Sequence, residues 1–96
     1  MKKLLIINIA PELEDMLIDC LLMDTAVSGY TSFMVRGHGR HSGMSISEQV
    51  AGHRKRIQFE LVIEQDEIKG LLERLRSVGK GIYFRIMPID DVGYLT

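Results

Sequence analysis

The sequence predicts an α+β fold of the ferredoxin-like type, β-α-β-β-α-β, with two helices on one face of a four-stranded antiparallel sheet. Three observations predict it. An apolar run opens the chain, Ile57–Glu64 alternates apolar and polar residues at period two, and two segments between strand-like runs repeat apolar residues at helical spacing. Right-handed crossovers then put both helices on one side and give the spatial order 4-1-3-2, with the first strand inside the sheet.

Each element has its own signal. The first strand, Lys3 to Ile9, places Leu4 and Ile6 on one face and Leu5, Ile7 and Ile9 on the other, so both faces are apolar. Pro11 opens a helix at a position where its missing N–H costs nothing. Glu12, Glu14 and Asp15 suit the positive end of the helix dipole. Leu13, Met16, Leu17, Cys20 and Leu21 form one apolar stripe that ends near Asp24. A β-branched and aromatic run predicts a second strand from about Tyr30 to Arg36. In the third, Ile57, Phe59, Leu61 and Ile63 face one side. Asp66 is placed to cap a second helix, Ile68, Leu71, Leu72, Leu75 and Val78 form its stripe, and Gly79 is placed to end it. A last strand runs from Ile82 to Ile89, with Pro88 near its end as on a sheet edge. The expectation is one domain over residues 1–96.

Two helices cover one sheet face. The other face keeps Leu4, Ile6, Val62, Met87 and Ile89, which predicts that copies of the chain pack there in a closed homo-oligomer. The alternative is a monomer whose 90–96 segment, DDVGYLT, folds back over the sheet.

Composition narrows the class. A 46% hydrophobic content excludes a disordered chain, and a net charge of −1 argues against a nucleic-acid binder. One cysteine, Cys20, excludes an intrachain disulfide and fits a reducing cytoplasm. The opening MKKLLIINIA imitates a signal peptide, but Asn8 interrupts the apolar run and PELED follows where small residues belong, so a cytoplasmic protein without membrane insertion is expected. Catalysis has little support. Cys20 lies on the apolar helix stripe, no motif surrounds Ser42 or Ser47, and Asp90 with Asp91 suits a solvated turn, so the chain is not expected to be an enzyme.

Charge is concentrated between the second and third strands. Residues 35–56 hold five basic residues against Glu48 alone, a local +4, while the rest of the chain carries seven basic and twelve acidic residues, −5. A connection of about 17 residues, 37–53, is longer than compact domains usually keep and points to function. Ser45 and Glu48 have the spacing of a capping box, and the loop is expected to be ordered by a ligand or partner. Two chemistries compete there. His38, His41 and His53 offer imidazoles to copper or zinc, with Met44 favouring copper(I), and Gly37, Gly39, Arg36 and Arg40 offer backbone N–H groups and charge to a phosphate.

The runs SGYTSFMVRGHGR and KRIQFELVI resemble the PII signal-transduction superfamily, over nearly the whole chain. More narrowly, the chain is similar to an uncharacterised bacterial group of PII-like proteins associated with heavy-metal efflux systems. The resemblance implies a homotrimer with adenine nucleotides in clefts between subunits, and a flexible loop that controls a protein partner such as a membrane transporter. By position it implies Gly29, Tyr30 and Thr31 beside the base, Gly37, Arg40 and His41 near the phosphates, and Glu60 and Val62 along the cleft. The family's phosphate loop is reduced here to Gly79-Lys80-Gly81, and His41 stands where the family has glutamine. The effector is thus left between an adenine nucleotide and a metal, and nucleic acid is not expected as a partner.

Overall fold

The computed structural model describes residues 1–38 and 53–96. Its elements are β1 (Lys2–Ile9), a 3-10 turn (Pro11–Leu13), α1 (Glu14–Met23), β2 (Thr31–Gly37), β3 (Arg54–Glu64), α2 (Gln65–Leu75) and β4 (Tyr83–Pro88). The sheet order is β2-β3-β1-β4, all pairs antiparallel. This is the ferredoxin-like α+β arrangement the sequence predicts, with β1 inside the sheet.

Register fixes which face each side chain takes. Leu5 opposes Leu61, Ile7 opposes Phe59 and Ile9 opposes Ile57. These six are buried and meet Leu17 and Leu21 of α1 and Ile68, Leu71 and Leu75 of α2. Phe59 is wholly buried at the centre of this layer, and its ring meets Tyr30 at 5.5 Å between centroids. Removing a ring so placed costs on the order of 3–5 kcal/mol.

Several boundaries differ from the sequence reading. The first helical turn at Pro11 is 3-10, closed by the Leu13 N–H donating to the Ala10 carbonyl at 3.0 Å. The α1 stripe is narrower than predicted. Leu17 and Leu21 are buried and Leu13 and Cys20 partly so, but Met16 is 52% exposed, because the covering face of so short a helix is centred on Leu17 and Leu21. Asp66 is not a cap. β3 runs directly into α2, Glu64 holds the cap position without a side-chain hydrogen bond, and Asp66 lies in the first turn, where the dipole still favours it. Helix α2 ends at Leu75, before Gly79, which does not adopt a left-handed conformation. A Cβ on Gly79 would come within 2.8 Å of the Leu13 side chain, so this glycine serves close packing instead. The left-handed glycine is Gly81, with φ of 73°. β3 begins three residues earlier than expected, at Arg54, so Gly37 pairs with Arg54 and belongs to β2.

The second sheet face carries Leu4, Ile6 and Asn8 of β1, Phe33 and Val35 of β2, Arg56 to Val62 at alternate positions of β3, and Tyr83, Arg85 and Met87 of β4. Neither helix covers it. Tyr94 and Leu95 are 95% and 106% exposed, so these two side chains do not fold back over it.

Candidate functional site

The uncovered face is chemically divided along its strands. At the end where β2 and β3 approach the long connection, register sets Arg54 and Arg56 of β3 beside Asn8 of β1, and brings up Arg85 of β4. A cleft of about 610 Å³ opens there, lined by these four with Gly37, His38, Gly81 and Tyr83 among others. Three arginines and a histidine against no acid in the lining make it an anion-attracting cleft.

Arg56 organises this end. Its Nε donates to Asn8 Oδ1 at 2.6 Å, and its Nη2 donates to the Asn8 carbonyl at 3.1 Å and the Gly81 carbonyl at 2.9 Å. One side chain thus ties the end of β1 to the left-handed turn that leads into β4. Gly37 leaves room for it, since a Cβ there would sit 3.3 Å from Arg56 Cγ. Arg85 lies over the Tyr83 ring at 5.8 Å, which holds its guanidinium at the cleft. His38 and His53 meet at the loop root with ring centroids 5.9 Å apart and their planes tilted by 52°.

From Asn8 the hydrogen bonds continue along the face. Asn8 Nδ2 donates to Gln58 Oε1 at 3.5 Å, and Gln58 Nε2 donates to Glu60 Oε2 at 3.1 Å. A polar ladder therefore links Gly81, Arg56, Asn8, Gln58 and Glu60.

The site residues expected from the sequence fall into two groups. Gly37 and His38 line the cleft, and His53 lies beside it against His38. Thr31 and Glu60 oppose each other toward the far end of the same face, with Val62 one step beyond Glu60 on that face. Gly29 precedes this end, with open space around its Cα. Tyr30 turns its ring to Phe59, so its side chain is committed to the core. Thr31 and Gly37 are six residues apart on one strand, about 20 Å at the usual rise. One chain does not bring the two groups together. Arg40 and His41, like Gly39, Met44, Ser45 and Glu48, lie outside the described residues. Among the described residues, no three His, Cys, Asp or Glu side chains converge on a metal position.

Asn8, Arg56, Gln58 and Arg85 were not foreseen as site residues. Asn8 left a trace in the sequence as the one polar residue in a strand otherwise apolar from Leu4 to Ile9. Arg85 left none, because only the β1–β4 register brings it to the cleft.

A family model described as a protein of unknown function, DUF3240, matches residues 1–96. No curated protein matches. Among solved structures, a DUF3240 family protein from Shewanella baltica OS155 superposes with a TM-score of 0.83 at 23% identity, over 99% of this chain and 97% of that one. CPII, a nitrogen regulatory PII-like protein from Thiomonas intermedia K12 bound to ADP, AMP and bicarbonate, superposes with a TM-score of 0.73 at 18% identity, over 98% and 96%.

Proposed function

The chain belongs to the DUF3240 family, and from that premise we propose that it is a PII-like regulatory protein whose effector is a small anion of the adenine-nucleotide class. The observation that carries the reading is the arginine-lined cleft at the root of the 37–53 connection, on a fold shared with a protein bound to ADP, AMP and bicarbonate. Arg85 and Arg54 supply charge, and the left-handed Gly81 turn supplies backbone close to the anion. The chain acts as one PII-like domain in the cytoplasm, as a homotrimer and not as an enzyme. The separation of Thr31, Glu60 and Val62 from Gly37 supports an assembly of copies, as the trimer requires, because a site built from both groups takes one from each of two copies. Ligand at the cleft shifts the population of loop conformations, and a protein partner, such as a membrane transporter, binds one of them.

Calorimetric titration with ADP, AMP, ATP and bicarbonate tests this. At least one binds, and Arg85→Ala weakens it by roughly tenfold or more, the range of one charge-assisted hydrogen bond. Silence from all four overturns the effector assignment.

The proximity of the His38 and His53 rings favours a second reading, a copper or zinc site completed by His41, linked to heavy-metal tolerance. Zinc titration of the wild type and of His38→Ala/His53→Ala separates the two. Binding lost in the double variant while nucleotide binding persists supports the metal reading.

A further inference from the structure

Helix α2 and strand β4 leave a groove of about 700 Å³ between them, on the helical side of the sheet, meeting the arginine cleft only at Gly81 and Ile82. Leu72, Phe84 and Ile86 form its apolar floor; Phe84 and Ile86 remain 45% and 43% exposed although both point toward the core layer. Its rim is basic. Lys3 and Lys69 stand on it, and the remaining charges, Arg76 and Glu73, pair with each other at 3.2 Å. β4 is also an outer strand among the described residues, so its far edge presents backbone N–H and C=O groups to an incoming extended segment.

The segment after β4 has the complementary chemistry. Asp90 and Asp91 are followed by Val92, Tyr94 and Leu95, all exposed. The near-complete exposure of Tyr94 and Leu95 shows that their side chains stand off their own body. Two acids followed by three large apolar side chains match two lysines above an apolar floor. To enter its own groove the chain would have to reverse immediately after Pro88, where Pro88 pairs with Lys3 at the groove's end. A neighbouring copy meets no such constraint. We infer that residues 90–95 of one copy dock in the α2–β4 groove of the next, with Asp90 and Asp91 at the lysine rim and Val92, Tyr94 and Leu95 on the floor. The contact is head-to-tail, and within the proposed trimer it repeats from each copy to the next around a closed ring. It rests on the proposed assembly of copies, but not on any ligand.

The test is cross-linking of full-length protein carrying Lys69→Cys and Asp91→Cys together; both positions are exposed, so the fold tolerates the changes. Mild oxidation of the double variant should give covalent multimers on a non-reducing denaturing gel, at roughly ten times the yield of either single variant, since docking raises the effective concentration of the two thiols. Light scattering on the wild type is read alongside. A multimeric mass with no disulfide, with a disulfide inside one chain, or with equal cross-linking by Asp91→Cys alone overturns the docking while the assembly stands. A one-subunit mass overturns both.

Discussion

Asp24 is the one buried charged side chain of the described residues, and its surroundings account for it. One oxygen accepts the Ala26 N–H at 2.9 Å, closing the turn after α1, and the other accepts Arg74 Nε at 2.8 Å and Arg74 Nη2. Helix α1 is thereby tied to α2. Arg74 is half exposed, which screens its charge, whereas the carboxylate is not. The two partners therefore differ in what their loss leaves behind. Arg74→Ala strands a buried carboxylate and should cost about 2–3 kcal/mol, whereas Asp24→Ala leaves a solvated guanidinium and should cost about 1–2 kcal/mol. Urea unfolding of both variants at neutral pH checks the order. Cys20 lies beside this pair. Burial first, and the Asp24 carboxylate second, push its thiol above the ordinary value, while Arg74 opposes them. The neutral thiol is favoured, so alkylation by iodoacetamide at pH 8 should run slower in the folded protein than in urea, and the difference should narrow as pH rises. The same shift lowers stability as pH climbs past the thiol value of the unfolded chain, because the unfolded state then releases its proton first. A folded-state rate equal to that in urea at pH 8 would contradict the assignment.

At the scale of elements, β1, β3 and both helices were legible because each buries a stripe that is written locally, whereas β2 and β4, which bury almost nothing in one chain, were marked by β-branched and aromatic composition and by Pro88. The 57-59-61-63 alternation became the central core row, and the Ile68-Leu71-Leu75 stripe became the buried face of α2. The misses fall where tertiary contact outweighs local preference. Asp66 had the identity of a cap, but β3 enters the helix without a break; Gly79 had the identity of a helix stop, but its role is set by Leu13. The loop-root cleft was half legible. Its glycine Gly37, its histidine His38 and the basic residues Arg54 and Arg56 flank one connection in sequence, whereas Asn8 and Arg85 arrive only through strand pairing and Gly81 through the turn before β4. The Gly81 turn carries a specific expectation. Its φ of 73° is costly for any residue with a Cβ, and its carbonyl accepts Arg56. Gly81→Ala should lose about 1 kcal/mol of stability, and it should weaken anion binding by more than its effect on folding, since the cleft is built on that turn. Chemical denaturation and calorimetry on the same variant measure the two effects separately. Arg56→Gln should interrupt the polar ladder at its first step and perturb amide resonances of Gln58 and Glu60 as well as Gly81. Chemical shifts changed only near Gly81 would deny that the ladder transmits anything.

At the scale of the molecule, the uncovered sheet face decides the state in which the protein works. Ile6 is already buried in one chain, while Phe33, Tyr83 and Met87 stay about half exposed around it, and the polar ladder runs between them. An apolar sheet face of this kind is costly to leave in water, and in the proposed homotrimer the same face of other copies covers it, with Thr31 and Glu60 of one chain serving the cleft of another. Met87→Asp separates assembly from folding. The side chain is exposed in the single chain and lies opposite Leu4 on β1, so the substitution leaves the helix-covered core intact and places a charge within the apolar contact. The expected outcome is an unchanged circular dichroism spectrum, a light-scattering mass reduced to one subunit, and nucleotide binding reduced at least about tenfold, because a complete site then lacks its second half while burial of an unpaired charge opposes reassembly. Binding that survives undiminished in a one-subunit species would mean that the arginine cleft alone holds the effector, and that Gly29, Thr31, Glu60 and Val62 play no part in it.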